Sequence, residues 1–185
     1  MSMPATRHRF TLDDYYRMYE TGVLREDQRL ELLDGEIYEM APTYPPHASI
    51  VDRLARLLIT RLGTRAIVRV QGSVSARPSS QPQPDLAVLA ERADFYRRAH
   101  PEADDVHLLI EVSDTTLSRD RAKLRLYATA GMQEVWIVNI DDERIEVYRS
   151  PDAGVYIDHA AVGRGERLLC PDFPDVVLTV DEVFG

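Results

Sequence analysis

The stretch from Val106 to Ile140 constrains this chain more than any other. Val106–Val112 is nearly continuously apolar, the pattern of a strand covered on both faces. Ser113–Ser118 offers several helix-capping residues. Asp120–Ala130 then carries Leu124, Tyr127 and Ala128 on one face, with Gly131 as a stop. Glu134–Ile140 is a second buried run. Two buried strands joined by a helix predict one right-handed crossover unit. The chain is therefore expected to be α/β, with a central mixed β-sheet flanked by helices.

The remaining segments fit around that unit. Thr11 and Asp14 read as a capping box opening a helix over about 11–21. Asp34-Gly35 between two alternating runs, within Arg29–Met40, predicts a hairpin. Ala41–Pro46 reads as a proline-rich loop. From His47 to Leu62, the positions Ile50, Val51, Leu54, Leu57, Leu58 and Leu62 follow a helical period that stops at Gly63. Strands are expected at Ala66–Val70, reaching toward Val74, and at Leu86–Leu89, with a loop over Arg77–Pro84 between them. Glu91–Arg98 reads as helical. Arg144–Tyr148 alternates as a more exposed strand. Val155–Ala161 and Val176–Leu178 read as outer or late strands, and Thr179–Phe184 as a short helix or turn.

At 185 residues the chain suits one domain, with a core over about 10–148 and outer strands over about 155–180. Its net charge of −9 argues against a protein that coats nucleic acid nonspecifically, because phosphate neutralisation drives such binding. A local basic patch around an acidic site stays compatible with that charge. The single cysteine, Cys170, excludes a disulfide framework and fits a reducing cytoplasm. No apolar run approaches a membrane span of about 20 residues. Met1–Arg9 lacks the apolar stretch of a secretory signal. There is no phosphate-binding glycine loop and no dinucleotide fingerprint, which leaves NTPase and dehydrogenase readings without support. His8, His100, His107 and His159 lack metal-ligand spacing.

Chemistry is concentrated in three places. Asp85 follows Pro84 at the start of a strand, where a turn aspartate is also ordinary. Glu111 interrupts an apolar run, and a carboxylate there is costly unless paired, hydrogen-bonded or ligating. Lys123 lies on the helix that follows, one turn from Asp120, with which it could form a mere surface pair. Two carboxylates brought together can hold Mg²⁺, and a nearby lysine can steady a phosphate or an attacking water. Arg53, Arg56, Arg61 and Arg65 read as a solvated helix face rather than a basic face toward DNA. Tyr127 and Trp136 read as core.

The order Pro84-Asp85, Glu111-Val112-Ser113 resembles the PD-(D/E)XK nuclease superfamily. Ser113 stands where the usual motif has lysine, and Lys123 matches the variant in which the lysine has moved to the next helix. More specifically, the chain is similar to the Uma-type family of bacterial restriction endonucleases. The matching stretches are 30–37, Met40-Ala-Pro, His47, 83–88, 109–116 and 120–138. The resemblance implies a restriction-endonuclease-like fold and a Mg²⁺-dependent endonuclease acting on DNA, with Mn²⁺ as a substitute metal. It implies Asp85 and Glu111 as metal ligands, with the Val112 carbonyl as a third. Lys123 would orient the water or stabilise phosphorane charge. Glu31 would complete the site, unless it is only a solvent-facing hairpin residue. His47 would contact phosphate or move a proton, unless it is an ordinary helix-start residue. Gln71 is expected at the cleft edge and Asp120 behind Lys123. A homodimer is expected from the need to cut two strands. The alternative is a catalytically inactive nucleic-acid-binding or assembly module on the same fold. A metal-dependent hydrolase of RNA or small phosphoesters ranks third.

Overall fold

The computed structural model describes residues 6–185; the first part of the segment Met1–Arg9, read above for a secretory signal, lies outside the described residues. Helix α1, Leu12–Glu20, opens with the expected box: the Thr11 side chain accepts from the Asp14 N–H while the Asp14 carboxylate accepts from the Thr11 N–H at 3.0 Å. Strands β1, Leu30–Leu33, and β2, Glu36–Glu39, pair antiparallel. Asp34 and Gly35 between them have φ of 49° and 77°, the left-handed pair that a two-residue hairpin turn needs. Gly35 is also sterically required, since a Cβ there would lie 2.7 Å from the Arg9 Cβ.

Helix α2 spans Pro45–Leu62, two residues earlier than the periodicity predicts. Pro45 and Pro46, expected in the loop, instead form its first turn. There a missing N–H costs nothing and the fixed φ suits a helix. His47 therefore sits inside the first turn. The main sheet is built from β3, Ala66–Val70; β4, Leu86–Ala90; β5, Val106–Ser113; β6, Glu134–Asn139; β7, Arg144–Asp152; and β8, Val155–Val162. Among the described residues their order is β3-β4-β5-β6-β7-β8. The β5–β6 pair is parallel and is joined by α3, Leu117–Ala130, as the apolar runs require. Every other neighbouring pair is antiparallel, so the sheet is mixed.

Alternation along β5 divides the core. Leu108, Ile110 and Val112 pack with Ile50, Val51, Leu54 and Leu58 of α2. Leu109 packs with Leu126 and Tyr127 of α3. Glu111 and Ser113 share the Leu109 side by the two-residue period, which aims them at α3. The α2 layer is completed by β9, Arg167–Cys170, paired with β10, Phe173–Thr179, and by α4, Val180–Phe184.

Four local expectations are corrected. Glu91–Arg98 is not helical: Phe95 and Tyr96 have φ of 50° and 57°, which no right-handed helix accommodates, and a 3-10 turn forms later at Ala103–Asp105. Val74 does not extend β3, because Gln71 turns the chain at φ 47° and the Val74 N–H bonds the Pro82 carbonyl at 3.0 Å. The 144–148 strand is not a more exposed one; Ile145, Glu146 and Val147 are buried because β8 pairs along its outer edge. The strand at 176–178 belongs to the separate β9–β10 sheet, and β9 had no alternating pattern to announce it. No helix among the described residues is long and apolar enough to cross a membrane.

Candidate active site

Pairing between β4 and β5 stops at Leu86↔Ile110. One step beyond, the Asp85 carboxylate takes over from the ladder, and its Oδ2 accepts the Val112 N–H at 2.8 Å. The same oxygen lies 3.1 Å from His47 Nε2 in the first turn of α2. That hydrogen bond holds the imidazole above its ordinary range, against the opposing effect of burial. His47 Nδ1 is buried and has no partner among the described residues.

On the α3 side, Lys123 Nζ lies 3.2 Å from Glu111 Oε1 and 3.1 Å from Glu31 Oε2. The Tyr127 hydroxyl also donates to Glu111 Oε1. Arg119 donates to the other Glu31 oxygen at 2.7 Å, and the Gln83 N–H reaches Glu31 Oε2 at 3.3 Å. Glu31, Glu111 and Lys123 are 1%, 3% and 6% exposed. Charges this deep persist only when paired. Burial pushes the Glu111 carboxyl up to about 8, with Lys123 pulling the other way and Asp120 and Asp85 adding to the rise. Burial also opposes the Lys123 charge, yet the Glu111 and Glu31 carboxylates outweigh it and hold the ammonium above its ordinary range.

Asp85, Glu111, Val112, Lys123, Glu31, His47, Gln71 and Asp120 all line a single cleft. The solvent-facing reading of Glu31 and the surface-pair reading of Lys123 both fail, since each side chain is buried in this network. Asp120 does not bond Lys123. Its Oδ2 accepts from the Ser113 hydroxyl at 2.6 Å and from Thr116, tying the end of β5 to the start of α3. Of the four arginines around α2, Arg61 and Arg65 pair with Glu182 and Asp175.

Two residues escaped sequence reasoning as site members. Arg119 was not singled out, and Tyr127 was assigned to the core alone. The signal was present: Arg119, Lys123 and Tyr127 recur every four residues and so share one face of α3.

The donor set can be tested against a hard cation. Asp85 Oδ1 and Glu111 Oε2 have no hydrogen-bond donor among the described residues, so each carboxylate keeps a free oxygen. No three His, Cys, Asp or Glu side chains among the described residues gather into a fuller cage. Two carboxylates in a water-accessible cleft fit Mg²⁺, which keeps much of its hydration and takes substrate phosphate oxygens.

A mixed sheet covered by helices, with an acid at the end of each of two adjacent strands and a buried helix lysine between acids, is the architecture of a restriction-endonuclease-like fold. Residues 12–181 match the model of the Uma2 family, described as "Putative restriction endonuclease". The chain belongs to that family. It is also similar to a crystal structure from Anabaena variabilis ATCC 29413, described as "a putative nuclease belonging to DUF820". That likeness has a TM-score of 0.75 at 16% identity and covers 95% of this chain and 97% of the other. At that identity the shared property is the fold. No curated protein matches the chain.

Proposed function

We propose that the protein is a Mg²⁺-dependent endonuclease that hydrolyses DNA phosphodiester bonds. One observation carries the reading: Asp85, Glu111 and Lys123 meet in a single cleft, with the lysine ammonium 3.2 Å from the Glu111 carboxylate. Asp85 and Glu111 would hold Mg²⁺, or Mn²⁺ in its place, through their free oxygens. The Val112 carbonyl fits as third ligand, because a strand residue's N–H and C=O point the same way and the Val112 N–H already faces Asp85. When bound, the cation would supply Lewis-acid polarisation at the scissile phosphate.

The chain's own residues do the rest. Lys123 presents a fixed positive charge where the phosphorane's negative charge develops, in a site too buried to reorganise. Glu31 and Tyr127 keep Lys123 and Glu111 in place. His47 braces Asp85 and can exchange a proton at Nε2. The protein would act in a reducing cytoplasm, in keeping with a single free, buried Cys170. A two-fold dimer would present two clefts to a duplex. The open edge at β8, where Val155 and Ile157 are 59% and 67% exposed, is the edge a second copy would meet.

The test is calorimetric titration of Mn²⁺ beside cleavage of supercoiled plasmid. Wild type is expected to bind the ion and cut. Asp85→Ala and Glu111→Ala are expected to lose both properties, and cleavage retained by Glu111→Ala would overturn the assignment. A catalytically inactive nucleic-acid-binding or assembly module is favoured by one fact: the Glu31–Lys123–Glu111 network already satisfies its charges without a cation. Metal-independent, salt-sensitive DNA binding with no cleavage would select that reading.

A further inference from the structure

Away from the cleft, a second cavity opens between the Ser75–Arg77 arm of the loop before β4 and the segment that follows Tyr96. Its charge runs against that of the chain. Arg77, Arg97, Arg98 and His100 line it against one carboxylate, Glu102, in a protein of net charge −9. Arg77 is shared between Glu102 at 3.4 Å and Asp13 at 3.9 Å. Neither Arg97 nor Arg98 has a carboxylate within ion-pair reach among the described residues.

Ser75 supplies a second and independent observation. It lines the same cavity, is 6% exposed, and its Oγ has no hydrogen-bond partner among the described residues. Its N–H bonds the Pro101 carbonyl at 2.8 Å, so the donor left without a partner is the hydroxyl. Buried hydroxyls in folded proteins almost always find a partner, so one without a protein partner is free to bond what occupies the cavity it lines. The donors here are one hydroxyl and two free guanidinium forks. A phosphate group matches them, since its oxygens accept several bonds at once and guanidinium forks fit them in pairs.

We propose that this cavity binds a phosphate group, held by the Ser75 hydroxyl and the Arg97 and Arg98 guanidiniums. The group would come either from a nucleic-acid strand or from free phosphate. The cavity and the cleft are lined from one loop. Val74 and Ala76 bond back to Pro82 and Ser80 at 3.0 and 2.9 Å, and Pro82 leads directly into Gln83 and Asp85. The proposal does not depend on the chemistry in the cleft.

The test is calorimetry on the full chain in EDTA, titrating inorganic phosphate and, separately, a short single-stranded oligonucleotide. Wild type is compared with Arg97→Ala/Arg98→Ala and with Ser75→Ala. Arg97 and Arg98 are exposed, so the double variant is expected to keep the wild-type melting curve. Phosphate binding is expected to weaken at least about tenfold in the double variant, the loss of one or more charge-assisted hydrogen bonds, and to weaken in Ser75→Ala as well. If only the oligonucleotide binds, and binds more weakly to the variants, the ligand is a strand phosphate and the proposal stands. If wild type binds neither, or the double variant binds both as wild type does, the proposal is overturned. Unchanged binding by Ser75→Ala would overturn the three-donor site.

Discussion

Glu111 and Lys123 dominate the energetics at the scale of single residues. Both are buried, and each compensates the other at 3.2 Å. Removing one partner of a buried pair typically costs about 3–5 kcal/mol, because the other is left uncompensated. Lys123→Met is expected to destabilise by that amount in urea denaturation at about pH 9, above the Glu111 carboxyl's range, where both partners are charged. Adding Glu111→Gln to it should recover part of the loss, giving a non-additive double-mutant cycle. Glu111 also sets a pH dependence. Its carboxyl is pushed up to about 8 in the folded chain, against an ordinary value of 4.5. Between those values the folded state keeps a proton that the unfolded state has released. Stability from this group is therefore full below 4.5 and lost as pH rises through 8. Lys123 stays charged throughout this window. The stability of wild type relative to Glu111→Gln is expected to fall from pH 5 to pH 8, read from urea midpoints. A rise would contradict the burial argument.

At the scale of elements, α3 is the organiser. Its four-residue repeat of Arg119, Lys123 and Tyr127 faces the end of β5, and its first turn is anchored there by Asp120. Asp120→Ala leaves the fully buried Ser113 hydroxyl unpaired and frees the turn that sets the helix position. The expected cost is about 1–3 kcal/mol, measured by thermal or urea unfolding. Loss of stability without any loss of Mn²⁺ binding would show that the anchor is structural only. The departure at Ser113 acquires a physical reason at this scale. That position is wholly buried and its hydroxyl is held by Asp120, while the ammonium arrives from α3 instead.

At the scale of the molecule, one core layer joins α2, the sheet and the C-terminal β9–β10–α4 cover. Leu54 is wholly buried in it. Leu54→Ala is expected to cost about 2–5 kcal/mol, checked by the urea midpoint at unchanged slope. The sequence by itself determined the crossover unit, the hairpin at Asp34-Gly35 and the capping box at Thr11 and Asp14, because apolar period and turn chemistry are local signals. It also marked Asp85 and Glu111, because an acid in or beside an apolar strand is conspicuous. Only the tertiary structure decided that Glu31 is buried rather than solvent-facing, that Asp120 serves Ser113 rather than Lys123, and that the 144–148 strand lies inside the sheet. Each of these depends on a partner in another element: α3 for Glu31, the end of β5 for Asp120, β8 for the 144–148 strand. Local sequence carries no record of what packs against it from a distance, and a charged residue reads the same in a chain whether it meets water or its counter-charge.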